Sequence, residues 1–189
     1  LYDFSEAKKL YGTTFGIGSL LTVIGQGFLF GGILSGITIT NGRFGGSVFD
    51  WITPLTLLIA IGFFFAYAVV GYAYLIKKTH YELSNETFPR IITFALATFL
   101  ALLGATLYLP QTNYLFFTSW TTPPVSNILY LVAGGIVVSV IMLGYNTIKK
   151  KHPEQIYFLC LGIFALGYLG MLAAVYPYML PPNLTLFEA

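Results

Sequence analysis

The chain is predicted to be all-α, a polytopic bundle of five transmembrane helices, and two observations carry that prediction. Its 189 residues include nine Lys or Arg and seven Asp or Glu, placed so that residues 10–42, 51–76, 91–148 and 155–187 hold no charge. Those stretches are 33, 26, 58 and 33 residues long. A hydrocarbon core about 30 Å thick takes about 20 apolar residues in a helix, so they have room for one, one, two and one crossings. The second observation is composition. With 57% hydrophobic residues, 8% charged and a mean hydropathy of +0.79, the chain departs from soluble domains, of which about a quarter is charged.

The first helix is placed at residues 10–37 and is unusual for its glycines. Gly12/Gly16, Gly27/Gly31 and Gly32/Gly36 are each four apart on one face, which predicts close approach by another helix. Gln26 lies near its middle, and an amide in hydrocarbon needs a partner, so a hydrogen bond to a neighbouring helix is expected. The second helix, 54–78, opens with Phe49-Asp50-Trp51-Ile52-Thr53-Pro54. Asp50 or Thr53 is expected to cap it, Trp51 to anchor it at the interface, and Pro54 to occupy its first turn. Lys77 and Lys78 then meet the negative end of its dipole.

The third helix, 89–109, and the fourth, 124–149, are also placed to begin at prolines; the fifth is 156–180. All belong to one transmembrane domain spanning 1–189. Gly71-Tyr72 through Lys78 and Gly144-Tyr145 through Lys150 echo each other. A cytoplasmic helix end that favours aromatics and lysines accounts for that echo. Tyr108, Tyr114, Phe116, Phe117 and Trp120 stand in an uncharged loop and read as an aromatic belt at headgroup level.

Lys8, Lys9, Lys77, Lys78, Arg90 and Lys149 to Lys151 fall on one side of the five crossings, and Arg43 on the other. By the positive-inside rule the first helix runs outward from the cytoplasm, so the N-terminal end is cytoplasmic and the C-terminal end outside. The segment beginning at Leu1 has no signal-peptide pattern, and the sequence reads as a piece of a longer polytopic protein.

The inventory for chemistry is sparse. His80 and His152 sit beside lysines in cytoplasmic loops, and Met142, Met171 and Met179 stand in apolar contexts where packing is the default. No metal, haem or nucleophile constellation can be assembled, and Cys160 has no partner for a disulfide. A net charge of +2 with no arginine-rich face argues against nucleic acid. No catalytic, cofactor-binding or metal-ligating residue is therefore assigned.

Three stretches carry a resemblance. Gly18-Ser19-Leu20-Leu21, Gly25-Gln26-Gly27, Gly31 and Gly36 come first, then Asp50-Trp51-Ile52-Thr53-Pro54 through Gly71, Lys78-Thr79 and Glu82-Leu83. The close has Tyr176-Pro177-Tyr178-Met179-Leu180-Pro181 followed by Leu184-Thr185-Leu186-Phe187-Glu188-Ala189. In this order they resemble subunit II of the cytochrome bd-type quinol oxidases, in the branch often called cyanide-insensitive. The chain departs from that pattern at Phe49 and at Thr79-His80-Tyr81. The resemblance implies helices four to eight of a nine-helix subunit in the bacterial cytoplasmic (inner) membrane. It also implies a partner, subunit I, holding haems b and d, with quinol as the complex's substrate, oxygen reduced to water and a contribution to the proton gradient. A small accessory subunit, membrane lipid and quinone would complete the surroundings. The alternative is a multi-pass transporter or channel subunit without redox activity, motivated by proline-started helices and the internal echo.

Overall fold

The protein is described by a computed structural model at residues 4–36, 39–40, 43–47, 49–79, 84–112, 114–149, 153–181 and 184–187. Six helices follow one another: α1 (Phe4–Ser35), α2 (Pro54–Lys78), α3 (Ser84–Thr112), α4 (Tyr114–Thr121), α5 (Val125–Ile148) and α6 (Pro153–Val175). All but α4 are long and apolar enough to cross a membrane. Two short antiparallel ladders sit at the turns, β1 (Ile39–Thr40) with β2 (Arg43–Phe44) and β3 (Tyr178–Leu180) with β4 (Leu184–Thr185). The all-α transmembrane architecture is as the charge pattern predicts.

Helix ends differ from the sequence-based placement for local reasons. α1 starts at Phe4, six residues before Leu10, because Lys8 and Lys9 are good helix formers and only mark where charge stops. It ends at Ser35 because Gly36 takes a left-handed φ of 88°, the usual helix stop. α2 begins as expected at Pro54, behind Thr53, whose extended backbone (φ −109°, ψ 162°) lets its side chain cap the helix.

α3 starts at Ser84, which puts both Pro89 and Pro110 inside the helix. Proline therefore does not mark its start. α5 does start beside Pro124, which occupies the cap position without a side-chain hydrogen bond. α6 starts at Pro153, three residues before Ile156, since proline suits a first turn. It stops at Val175 instead of Leu180. Pro177 cannot donate to the helix ladder and disfavours a helical Tyr176, and the residues after it pair as β3.

α2 is the hub, packed against α1, α3 and α6, while α5 packs on α6 and touches α3. Two clusters of buried apolar residues lie at opposite ends of the bundle. One gathers Val69, Ala73 and Ile76 of α2, Phe88 and Ile91 of α3, Leu143 of α5, and Ile156 and Cys160 of α6. This is the end that carries Lys77, Lys78, Arg90 and Lys149. The other joins Leu34, Leu55, Ile59, Ala105 and Phe116, with Met171, Ala174 and Val175 packed beside them. Alternating helix directions place the same residue class at the same depth, so each end closes with residues distant in sequence.

Candidate functional site

Among the described residues, the glycines are most closely packed at the seam between α1 and α2. Gly27 lies directly on the backbone of Ala60, and a Cβ built on Gly31 would stand 2.5 Å from the Cα of Thr56. Hydrocarbon offers no hydrophobic drive for helices to associate, so such contact stabilises through dispersion and short polar bonds. Those bonds are present. The Ser35 hydroxyl donates to the Gly31 carbonyl at 2.8 Å and meets the Thr53 hydroxyl at 2.8 Å. Thr53 in turn is 2.9 Å from the Thr56 hydroxyl and accepts from the Thr56 N–H at 3.1 Å. The Thr56 hydroxyl donates to the Trp51 carbonyl at 2.8 Å, and the whole Thr56 residue is buried.

This knot explains the Asp50-Trp51-Ile52-Thr53-Pro54 motif. Of the two cap candidates, Thr53 caps α2, while the Asp50 carboxylate accepts from the Ser47 N–H at 2.6 Å and closes the preceding turn. Trp51 is half-exposed and sets its ring edge-on to Phe28, with centroids 5.2 Å apart. Thr56 was not singled out from the sequence. Its signal was a second threonine one turn after the cap, where a purely apolar helix would carry Val.

Farther into the bundle, Gln26 finds the inter-helix partner expected of it. The Tyr67 hydroxyl donates to the Gln26 Oε1 at 2.7 Å, joining α1 and α2. Tyr67 sits 5.0 Å ring to ring from Phe164, and Phe30, Phe63 and Tyr168 complete an aromatic wedge of α1, α2 and α6. These rings fill space. On the other side of the Gln26 amide a groove of about 540 Å³ opens, lined by Phe15, Ser19, Thr22, Val23 and Tyr67 among others.

The glycine prediction divides here. Gly27 and Gly31 are packed as expected, and Gly32 approaches the Trp51 side chain. Gly12 and Gly16 meet no atom of the described chain within 4 Å, and neither do Gly18 and Gly25.

The other sequence candidates are placed as packing or interface groups. At the lysine end, Lys77 Nζ stands 4.9 Å from the ring centroids of both Tyr157 and Phe158, which ties α2 to α6 by cation–π attraction. Asn146 is buried and donates to Gln155 Oε1 at 3.2 Å, linking α5 to α6 near the same end. That amide pair was missed, and its only signal was two amides flanking a lysine turn. Of the aromatic loop, Tyr108 belongs to α3, while Tyr114–Thr121 folds into α4, which buries Phe116 and exposes Tyr114 and Phe117 as a stacked pair 5.8 Å apart. The Tyr130 hydroxyl donates to the Trp120 carbonyl at 2.9 Å. An interfacial helix with one apolar anchor and outward aromatics suits headgroup depth.

His80 and His152 lie outside the described residues. Met142 is exposed on α5 and Met171 packs beside the Phe116 cluster; Met179 falls in β3. Cys160 is buried in the lysine-end cluster. Among the described residues no three His, Cys, Asp or Glu gather to hold a metal ion. What the geometry offers is a set of surfaces for holding helices together.

Comparison with known proteins gives the chain its family. No curated protein matches it closely enough to count as a relative. The family described as cytochrome bd terminal oxidase subunit II has a sequence model that matches residues 2–189, nearly the whole chain. The chain belongs to that family.

Proposed function

We propose that this chain, as a member of the subunit II family, is a non-haem scaffold of a bd-type terminal oxidase. It packs against and supports a haem-bearing subunit I, which binds haems b and d, oxidises quinol and reduces oxygen to water. The complex thereby contributes to the proton gradient across the bacterial cytoplasmic membrane. The observation that carries the reading is the family match across residues 2–189. The site supports it: the polar side chains that bond between elements, Gln26 with Tyr67, Ser35 with Thr53 and Asn146 with Gln155, hold helices together. In water-free hydrocarbon a polar residue marks either function or an inter-helix bond, and here Gln26, Tyr67, Thr56 and Asn146 all make bonds between elements or within turns.

The orientation follows from charge. Lys77, Lys78, Arg90 and Lys149 share one end of the bundle, which would face the cytoplasm, and Arg43 stands at the other, which would face out. The interfacial helix α4 then lies on the outer side. The test is deletion and re-expression in a host with no other terminal oxidase. Loss of the full-length chain should remove quinol oxidase activity and destabilise the haem-bearing partner, and re-expression should restore both. Full activity of the partner without this chain would overturn the scaffold role, and solute transport by the purified chain in liposomes would favour the channel or transporter reading.

A further inference from the structure

Where α3 meets α5 the helices leave a cleft of about 150 Å³. Ile91, Ala95 and Phe99 line it from α3, and Thr147, Gly144 and Val140 from α5. Both series start at the lysine end and run inward, one forward and the other backward along the chain. From Ile91 to Phe99 is about 12 Å of helix, close to half of a hydrocarbon core about 30 Å thick. The cleft therefore has the depth of one leaflet. A membrane-spanning helix would need a trough along the whole of both helices, whereas this one stops at Phe99 and Val140.

Its walls suit hydrocarbon. Thr147 turns its hydroxyl into its own helix, donating to the Leu143 carbonyl at 2.7 Å, and the neighbouring Asn146 amide is engaged with Gln155. A buried water needs about two to four polar partners, which these walls do not offer. A Cβ built on Gly144 meets no atom of the described residues within 4 Å, so the glycine leaves room for an occupant instead of admitting a helix of this chain.

The mouth is basic. Arg90 directly precedes Ile91, and Lys149 follows Thr147 by two residues; both are exposed. Lys150 and Lys151 come next in sequence, so residues 84–90 and 147–151 hold four basic residues against one acidic, Glu86. Long basic side chains lay their stems on apolar surface and raise their charge to headgroup depth, and basic pockets between membrane helices take anionic lipid headgroups.

We propose that this cleft is a binding site for one anionic phospholipid, with an acyl chain between α3 and α5 and the phosphate at Arg90 and Lys149. The apolar walls fix the depth of the chain, and the basic mouth selects the headgroup. The site lies on the α3/α5 face, away from the α1/α2 seam.

The test uses the complete assembly in vesicles of phosphatidylcholine doped with a phospholipid carrying a photoreactive diazirine on one acyl chain, either phosphatidylglycerol or phosphatidylcholine. After irradiation, adducts are mapped by peptide mass spectrometry. Phosphatidylglycerol should label residues 91–99 and 140–147 roughly twentyfold more than phosphatidylcholine, since two basic groups at the surface contribute about fivefold each. Arg90→Gln and Lys149→Gln, both surface changes, should each lower that preference about fivefold. Gly144→Leu, which places a side chain into the cleft, should lower labelling by both lipids. Equal labelling by the two headgroups would overturn the proposal, as would a preference unchanged in both charge variants. Absence of lipid adducts from these residues would also overturn it, since a protein surface would then cover the cleft.

Discussion

The two halves of α1 have similar composition and opposite surroundings. From Gly27 to Ser35 the helix is pressed on α2, with Gly27 and Gly31 against Ala60 and Thr56 and the Ser35 hydroxyl tied to Thr53, the cap of the next helix. From Lys8 to Thr22 every residue is exposed, including Gly12, Gly16 and Gly18. The difference teaches that glycine spacing specifies a surface able to receive a helix, while the contact itself also needs a partner whose own small residues and hydroxyls match. At the packed half that partner is Ala60, Thr56 and Thr53. At the open half the described chain supplies none.

The sharpest way to break this comparison is to enlarge the packed half. Gly31→Leu would drive an isobutyl group into the Cα of Thr56, where neither helix can yield without breaking the Ser35–Thr53 contact. We expect a loss of about 3 kcal/mol, near the upper range for overpacking, read from detergent unfolding and from the yield of assembled complex. Ser139→Leu, on half-buried α5 surface, should be milder; equal losses would remove the seam's special standing.

Next in size is Gly27→Ala beside Gly16→Ala, the same change in both halves of one helix. At Gly27 the new methyl meets Ala60 backbone, and a loss of about 1 to 2 kcal/mol is expected. At Gly16 it meets nothing in the described chain, so the helix-propensity gain of up to about 1 kcal/mol remains. A loss at Gly16 in the complete assembly would sharpen the comparison, since it would reveal a neighbour there.

Thr56→Val tests the hydroxyl knot without changing shape. Removing a buried hydroxyl that donates to the Trp51 carbonyl should cost about 1 kcal/mol, measured by the same unfolding assay. Gly134→Ala should have the smallest effect, a gain of up to about 1 kcal/mol, because α5 leaves open space at that position.

The charge-free stretches made five crossings legible because hydrocarbon punishes every unpaired charge. Thr53 and Gln26 were legible too, one as a cap and the other as an amide that had to find a partner. Less legible were the ends. Pro89 suggested a helix start, but α3 runs through it from Ser84, and Pro177 ended α6 five residues early through an effect that hydropathy does not register. Tyr67 as the partner of Gln26 could not be read, because the pair is 41 residues apart and its meeting depends on how α1 crosses α2. The buried faces of α1 were legible as a capacity and not as an outcome.

In the proposed role these helices hold a redox complex together without carrying its haem. The most direct measurement is a reduced-minus-oxidised absorption spectrum of the full-length chain, purified alone and then with its partner, at equal protein concentration. The chain alone should give a flat difference spectrum, with haem bands only when the partner is present. Stoichiometric haem absorbance from the chain alone would contradict it.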